Sequence, residues 1–369
     1  MTSTEQPPSD EPVGTLELVH SFYGPMPTGV SVSDSGRVFV NYPKWGDEVP
    51  ATVTELCDGR AVAYPDQHWN DAAGDDDQHA FVSVQSIVVD PAERLWVLDT
   101  GSPMFQPTTY GGPKLVGIDL ASNAVVKTIV FGTDVALPTT YLNDVRFDLR
   151  RGEGGTAFIT DSSDQGPNGI IVVDLATGEA WRRLHDHPST KAEQPQTFLS
   201  VVEGRPFFER PADGPAKPVC MGADGIAISA DGDRIWYCSL ASRKWFSVSA
   251  DALADRSQSD EAVAATVVDE GDKGGASDGL ETDDAGRIYL TSGEHNAILR
   301  RLSDGSFETL VHDPRLLWPD TMSVAADGHL YVTANQLYRQ PKYQQGEDRR
   351  HKPYALFRTP IDAGPVRLR

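Results

Sequence analysis

The chain is predicted to be all-β, a six-bladed β-propeller, on three observations. One strand–turn–strand pattern recurs six times, long helical periodicity is nearly absent, and 33 glycines and 26 prolines are spread over 369 residues. That composition suits many short strands joined by many turns. The first copy is "TGVSVSDSGRVFVNY" from Thr28 and the second "QSIVVDPAERLWVLDTG" from Gln85. The third, "NDVRFDLRRGEGGTAFITD", starts at Asn143, and the fourth, "DGIAISADGDRIWYCS", at Asp224. "DGLETDDAGRIYLTS" from Asp278 and "DTMSVAADGHLYVTAN" from Asp320 complete the set. Successive starts lie 57, 58, 81, 54 and 42 residues apart. Propeller blades take about 40–50 residues, so these are blades with insertions. The longest gap holds a Pro-rich segment with its own hairpin signal at residues 197–208. Paired strands between the repeats, 114–119 with 124–130 and 169–174 with 180–184, bring each blade to four strands. Residues 250–255 make one or two helical turns. For the ring to close, the strands at 15–23 and 354–361 are expected to share one sheet. Residues 1–14 are expected to form a disordered tail, and 15–369 a single domain.

In a propeller the first strand of each blade lines a central channel, so the leading residues of all repeats converge on one mouth. By position these are Thr28, Gln85, Asn143 with Asp144, Asp224, Asp278 and Asp320. Several acids around one axis repel unless a cation, a proton or a basic ligand group compensates them. The plain alternative is turn chemistry, since Asp before Gly, as at Asp224 and Asp278, caps backbone N–H groups. Equivalent placement in blade after blade is hard to obtain from turns alone, which favours a site. The second Asp of each repeat (Asp34, Asp90, Asp148, Asp231, Asp283, Asp327) falls in the hairpin turn and reads as structural. Trp45, Tyr141 and Trp318 lie near repeat starts and are assigned to the mouth, able to stack on a flat ligand. Tyr42 and Trp69 share that pattern, with packing between blades as the alternative for all five. The charged, Pro-bounded loop 338–354 reads equally as a lid or as a surface loop.

The formal net charge of −22 argues against nucleic acid and anionic membrane as partners, leaving a small-molecule ligand. No apolar run approaches the roughly 20 residues that span a bilayer, and the N-terminus has neither a basic nor an apolar leader segment. A soluble cytoplasmic protein is the expectation. Cys57, Cys220 and Cys238 have no metal-ligand spacing; buried free thiols are expected, with a Cys220–Cys238 bridge as the alternative. Nine histidines give no zinc motif, although His68 and His79 flank an acidic run that could line the mouth. No nucleophile elbow is present, and "GDKGGASDG" lacks the Lys-Ser/Thr pair of a phosphate loop, so no nucleotide cofactor is expected.

The segments "PTGVSVSDSGRVFVNYPKWGDEVPATVTEL", "YPDQHWN", "GPKLVGIDLASNAVVKTI", "YLNDVRFD", "GIIVVDLATGEAWRRL" and "PDTMSVAADGHLYVTANQL", in this order, resemble the insect yellow and major royal jelly proteins and their bacterial relatives. The resemblance runs from about Thr28 to Leu337 and implies a six-bladed propeller. It also implies dopachrome conversion, a tautomerisation, or the binding of small aromatic amines in the channel. The chain departs from the insect pattern in lacking a disulfide framework. A more distant likeness to calcium-dependent gluconolactonase-like propellers implies a divalent cation such as Ca²⁺ at Asn143, Asp224 and Asp278, but Thr28 stands where those proteins carry a Glu. An oxygen donor set of this kind suits a hard cation.

Three functions are therefore carried forward. The first is an isomerase or tautomerase on a small cyclic or aromatic substrate, with Asp278 and Asp224 as acid and base. In that reading Asn143, Asp144, Gln85, Thr28, Asp320, Tyr141, Trp45 and Trp318 bind substrate. The second is a metal-dependent lactone hydrolase, and the third a non-catalytic binder of aromatic amines.

Overall fold

The computed structural model describes residues 11–71, 78–194 and 197–369. Six four-stranded antiparallel sheets form a β-propeller. Their inner strands are Val30–Val32, Val84–Val89, Leu142–Asp148, Ala223–Ile228, Leu280–Thr282 and Pro319–Val324. Each inner strand touches that of the next blade, and the last touches the first, so the ring is closed around a channel. Inner strands such as Leu142–Asp148 are buried along their whole length, because blades pack on both faces. Alternation survives at the rim, as in Ala124–Val130, where Ala124, Val126 and Thr128 are exposed and Val125, Lys127 and Ile129 turn inward. Apolar clusters fill the seams; Trp96, Leu98, Val145, Phe147 and Ile159 join the second blade to the third.

The ring closes as the two terminal strands predict. Glu17–Phe22 pairs antiparallel with Tyr354–Pro360, with Phe22 opposite Tyr354 and Glu17 opposite Arg358. The last residues of the segment expected as a tail lie against the fifth blade. The N–H groups of Val13 and Gly14 donate to the carbonyls of Thr309 and Leu310 on the outer strand of the fifth blade. Gly14 allows this approach, since a Cβ there would stand 2.9 Å from the Leu310 carbonyl oxygen. Residues 1–10 of the expected tail, and 72–77 of the acidic run beside His68, lie outside the described residues.

Two additions dress the channel ends. The long insertion before the fourth blade makes two small hairpins, Val201–Val202 with Arg205–Pro206 and Phe208–Glu209 with Lys217–Pro218. The C-terminal tail crosses the opposite face. Gly364 accepts from Asp284 N–H and Leu368 from Leu149 N–H, while Arg369 donates to the Pro91 carbonyl and Arg367 pairs with Asp34. Pro365, Val366 and Arg367 thereby cover a small cavity at the foot of the channel. Helices are confined to short pieces such as Ala250–Ala254 and Asp260–Ala264. The hairpin aspartates are structural: Asp90 accepts from Ala92 N–H, Arg94 N–H and the Trp96 indole, and Asp283 from Ala285 N–H, Arg287 N–H and the Tyr289 hydroxyl. All three thiols are free, but only Cys238 is buried; Cys57, at the end of the strand Val53–Cys57, and Cys220 are exposed. No helix among the described residues is long and apolar enough to cross a membrane.

Candidate functional site

The leading polar residues reach the channel through a repeated irregularity. Pairing of the inner strand with the second strand shifts register between Val84 and Ser86, Leu142 and Val145, Ala223 and Ile226, and Pro319 and Met322. Gln85, Asn143 with Asp144, Asp224 and Asp320 each lie within one of these bulges. A bulge bends its strand and re-aims the side chains on it. The glycines after Asp224 and Asp278 serve close approach instead of a turn. A Cβ on Gly225 would stand 2.3 Å from the Asp278 carbonyl oxygen, and one on Gly279 2.3 Å from that of Asp320. The Asp-Gly pairs are therefore where neighbouring inner strands press together.

Asp224 and Asp278 meet side chain to side chain and share a hydrogen bond. Burial is the main cause that drives the Asp224 carboxyl well above the usual carboxylate range, and the charge of Asp278 adds to it. Burial also pushes Asp278 up to about 6, held back by hydrogen bonds from the Trp318 indole and from Asp224. Trp318 Nε1 donates to Asp278 Oδ2 at 2.6 Å. Both carboxyls are thus shifted toward holding a proton, Asp224 by burial and the Asp278 charge, and two such acids in contact favour sharing one. Asp320 joins them in the electrostatics: burial and the Asp278 charge raise it, while Asn335 Nδ2 donates to its Oδ2 at 2.6 Å. Exposure sorts these acids. Asp144, Asp224 and Asp320 are 6%, 2% and 4% exposed, whereas Asp278 is only partly buried and keeps a face toward open space.

Below this pair lies an ionic plug. Asp144 accepts from the Ser86 hydroxyl at 2.7 Å and from Arg146 Nη1 at 2.9 Å. Arg146 also donates to the Leu280 carbonyl and stands 3.5 Å from Glu281, spanning the channel from the third blade to the fifth. Asp144 is therefore committed to a buried ion pair and takes no part in the acid pair. Period-two alternation in "NDVRF" already puts Asp144 and Arg146 on the same face, and that signal identifies Arg146.

Aromatic rings roof the mouth. Trp45 stacks on Phe105 at 5.4 Å and Phe105 on Tyr141 at 4.7 Å, while Trp45 Nε1 donates to the Tyr141 hydroxyl, which donates to Gln85. Opposite, Phe207 from the insertion packs on Trp318 at 5.0 Å and on Tyr343 at 4.8 Å. Tyr343 is buried, and burial followed by the charges of Glu209, Asp278, Asp164 and Asp224 raises its phenol. The loop 338–354 is thus a strap over the mouth. Lys342 is held by Glu209 at 2.7 Å and sits 4.6 Å from the Phe105 ring centre, and Arg350 is clamped by Asp47 at 2.7 Å. Phe105, Phe207 and Tyr343 carry no repeat signal and come from loops of unequal length, so only their aromatic character could have marked them.

Other candidates fall elsewhere. Thr28 is fully buried and belongs to the seam: it donates to the Gln85 carbonyl and accepts from Asn41 Nδ2. Asn143 Nδ2 donates to Ser162 Oγ at 2.8 Å, beside the acids without bonding to them. Tyr42 packs edge-on against Phe22, and Trp69 against Phe81, so both are core. His68 sits in the short helix Gln67–Asn70.

The residues present do not fit the divalent cation expected at Asn143, Asp224 and Asp278. Among the described residues no group of three or more His, Cys, Asp or Glu side chains is arranged to hold an ion. The oxygens that would face an ion face donors instead: Asp278 receives an indole N–H and the Asp224 proton. Thr28, where a Glu would complete the set, donates its hydroxyl into the backbone.

Similar solved structures share the fold. A calcium-binding protein, regucalcin, from Agrobacterium tumefaciens superimposes with a TM-score of 0.56 at 13% identity, over 95% of this chain and 96% of the other. A gluconolactonase from Xanthomonas campestris gives 0.55 at 10%, over 94% and 90%. In sequence, the protein yellow of Drosophila erecta is 26% identical over 258 residues, covering 64% of this chain and 43% of that protein. The chain thus matches less than half the length of these relatives. The profile of the major royal jelly protein family matches residues 82–356, from the second blade to the strand that closes the ring. By that match, spanning most of the propeller, the chain belongs to the major royal jelly protein family.

Proposed function

We propose that the chain is a proton-transferring isomerase, a tautomerase acting on a small cyclic or aromatic substrate at the roofed channel mouth. The observation that carries this reading is the contact between the buried Asp224 and Asp278 carboxyls, an arrangement that favours one shared proton. Asp278, the more accessible member, is the base: it takes a proton from carbon beside a carbonyl of the substrate. Asp224 is the acid: it gives its proton to that carbonyl oxygen. One proton is taken and one is given, so the substrate leaves as its tautomer. The proton now on Asp278 crosses the shared hydrogen bond to Asp224, and the pair is reset without solvent. The aromatic rings on both sides suit a flat substrate and keep water from the exchange. Dopachrome conversion, which the family resemblance implies, is a reaction of this kind.

The pH profile and one substitution test it. Turnover of quinone-type substrates such as dopachrome should rise with pH through about 6, as Asp278 ionises. It should fall again at higher pH as Asp224 loses its proton. Asp278→Asn should lower kcat by at least about a hundredfold, the usual worth of a positioned base; an unchanged rate rejects the assignment. The rival reading, a metal-dependent lactonase, draws on the likeness in fold to gluconolactonases. It predicts turnover of lactones that rises with added Ca²⁺ and falls with a chelator, whereas the tautomerase responds to neither.

A further inference from the structure

One cleft of this acidic molecule is basic. It lies on the outer side of the roof, has a volume of about 670 Å³, and is lined by Arg205, Arg210, Arg339 and Arg349 with Phe207 and Tyr343. Glu203 is the single acid among the lining residues, in a chain whose acids outnumber its bases by 54 to 32. The arginines are weakly compensated. Arg205 is exposed and its side chain has no hydrogen-bond or ion-pair partner among the described residues. Arg210 donates to the Pro206 carbonyl, which carries no charge, and Arg339 stands 3.8 Å from Glu203. Only Arg349 has a close carboxylate, Glu347 at 2.7 Å. Guanidinium groups gathered in one cleft bind carboxylate or phosphate oxygens, and the rings beside them suit a planar body.

The cleft also adjoins the acid pair. Phe207 and Tyr343 line it on one side and pack together, and Phe207 packs on Trp318, whose indole holds Asp278. We propose that this cleft binds small planar anions, carrying carboxylate or phosphate groups, and is the way by which they approach the channel mouth. The field of the arginines would draw such a molecule to a part of the surface where the net charge of −22 is locally offset. Insofar as the bound anion is the substrate, this rests on the acid pair being the reacting centre.

The probe is benzene-1,3,5-tricarboxylate, with neutral benzene-1,3,5-trimethanol as control, titrated calorimetrically into the full chain. Saturable binding of the tricarboxylate is expected, at least tenfold tighter than the control and weakened by raising salt from 50 to 300 mM. Arg205→Ala with Arg339→Gln should cost a further tenfold or more, and Arg205→Ala alone, at an exposed side chain that cannot perturb the fold, a measurable part of it. Asp278→Asn should bind the probe as the parent does, so loss of turnover without loss of binding separates the two assignments. No saturable binding, equal binding of the neutral control, or arginine variants that bind like the parent would each overturn the proposal.

Discussion

Asp278 is more accessible than the other acids of the mouth, and its carboxylate is held by an indole. Its folded carboxyl keeps a proton more tightly than the unfolded one, whose ordinary value is 3.8. The native state is therefore favoured below about pH 4 and loses that advantage as pH rises through about 6. Asp278→Asn, which cannot ionise, should gain about 2 kcal/mol over the parent at pH 8 and nothing at pH 4, after discounting for partial exposure. Denaturant titrations at the two pH values measure this, and an equal effect at both would refute it. Trp318→Phe removes the donor that holds Asp278 down, so the acidic limb of the activity profile should move above 6. Asp224 and Asp278 were legible because the Asp-Gly pair recurs at equivalent places. Asp144 was legible as part of the channel, and its ion-pair partner Arg146 lies two residues on; what sequence could not show is that Arg146 reaches across to Glu281, on a strand 135 residues from it.

At the scale of elements, the bulged start of four of the six inner strands decides what reaches the axis. Hydrophobic alternation reveals a strand, and equivalent polar residues reveal the shared orientation, but a shift in register leaves no compositional trace. The glycines within those starts looked like turn residues for the same reason. Their true constraint is the neighbouring blade, so Gly225→Ala and Gly279→Ala should each destabilise by about 3 kcal/mol or more, as backbone must move to admit the methyl group. Thermal unfolding checks this; a cost below about 1 kcal/mol would return these positions to turn chemistry. The roof was the least legible element. Its segments, from residues 103–105, 205–218 and 338–354, share no repeat, and sequence spacing carries no information on where an irregular loop packs.

For the whole molecule, the repeat spacing was enough to place every blade and to name the two strands that join the ends. Closure then concentrates stability in a single pairing. Phe22→Ala, which empties a site 4% exposed against Tyr42, should cost about 3–5 kcal/mol, whereas Leu18→Ala on the same strand, 55% exposed, should cost under about 0.5. Comparable losses at the two positions would mean that the strand is not a latch.

That latch has a consequence in time. Glu17–Phe22 is synthesised more than 300 residues ahead of its partner Tyr354–Pro360. At about 5–20 residues per second, that strand waits on the order of 15–65 s with its edge unpaired and Phe22 uncovered. During synthesis the nascent chain is an open arc of blades, and the acid pair acquires its roof only when the final turn of the ring is delivered.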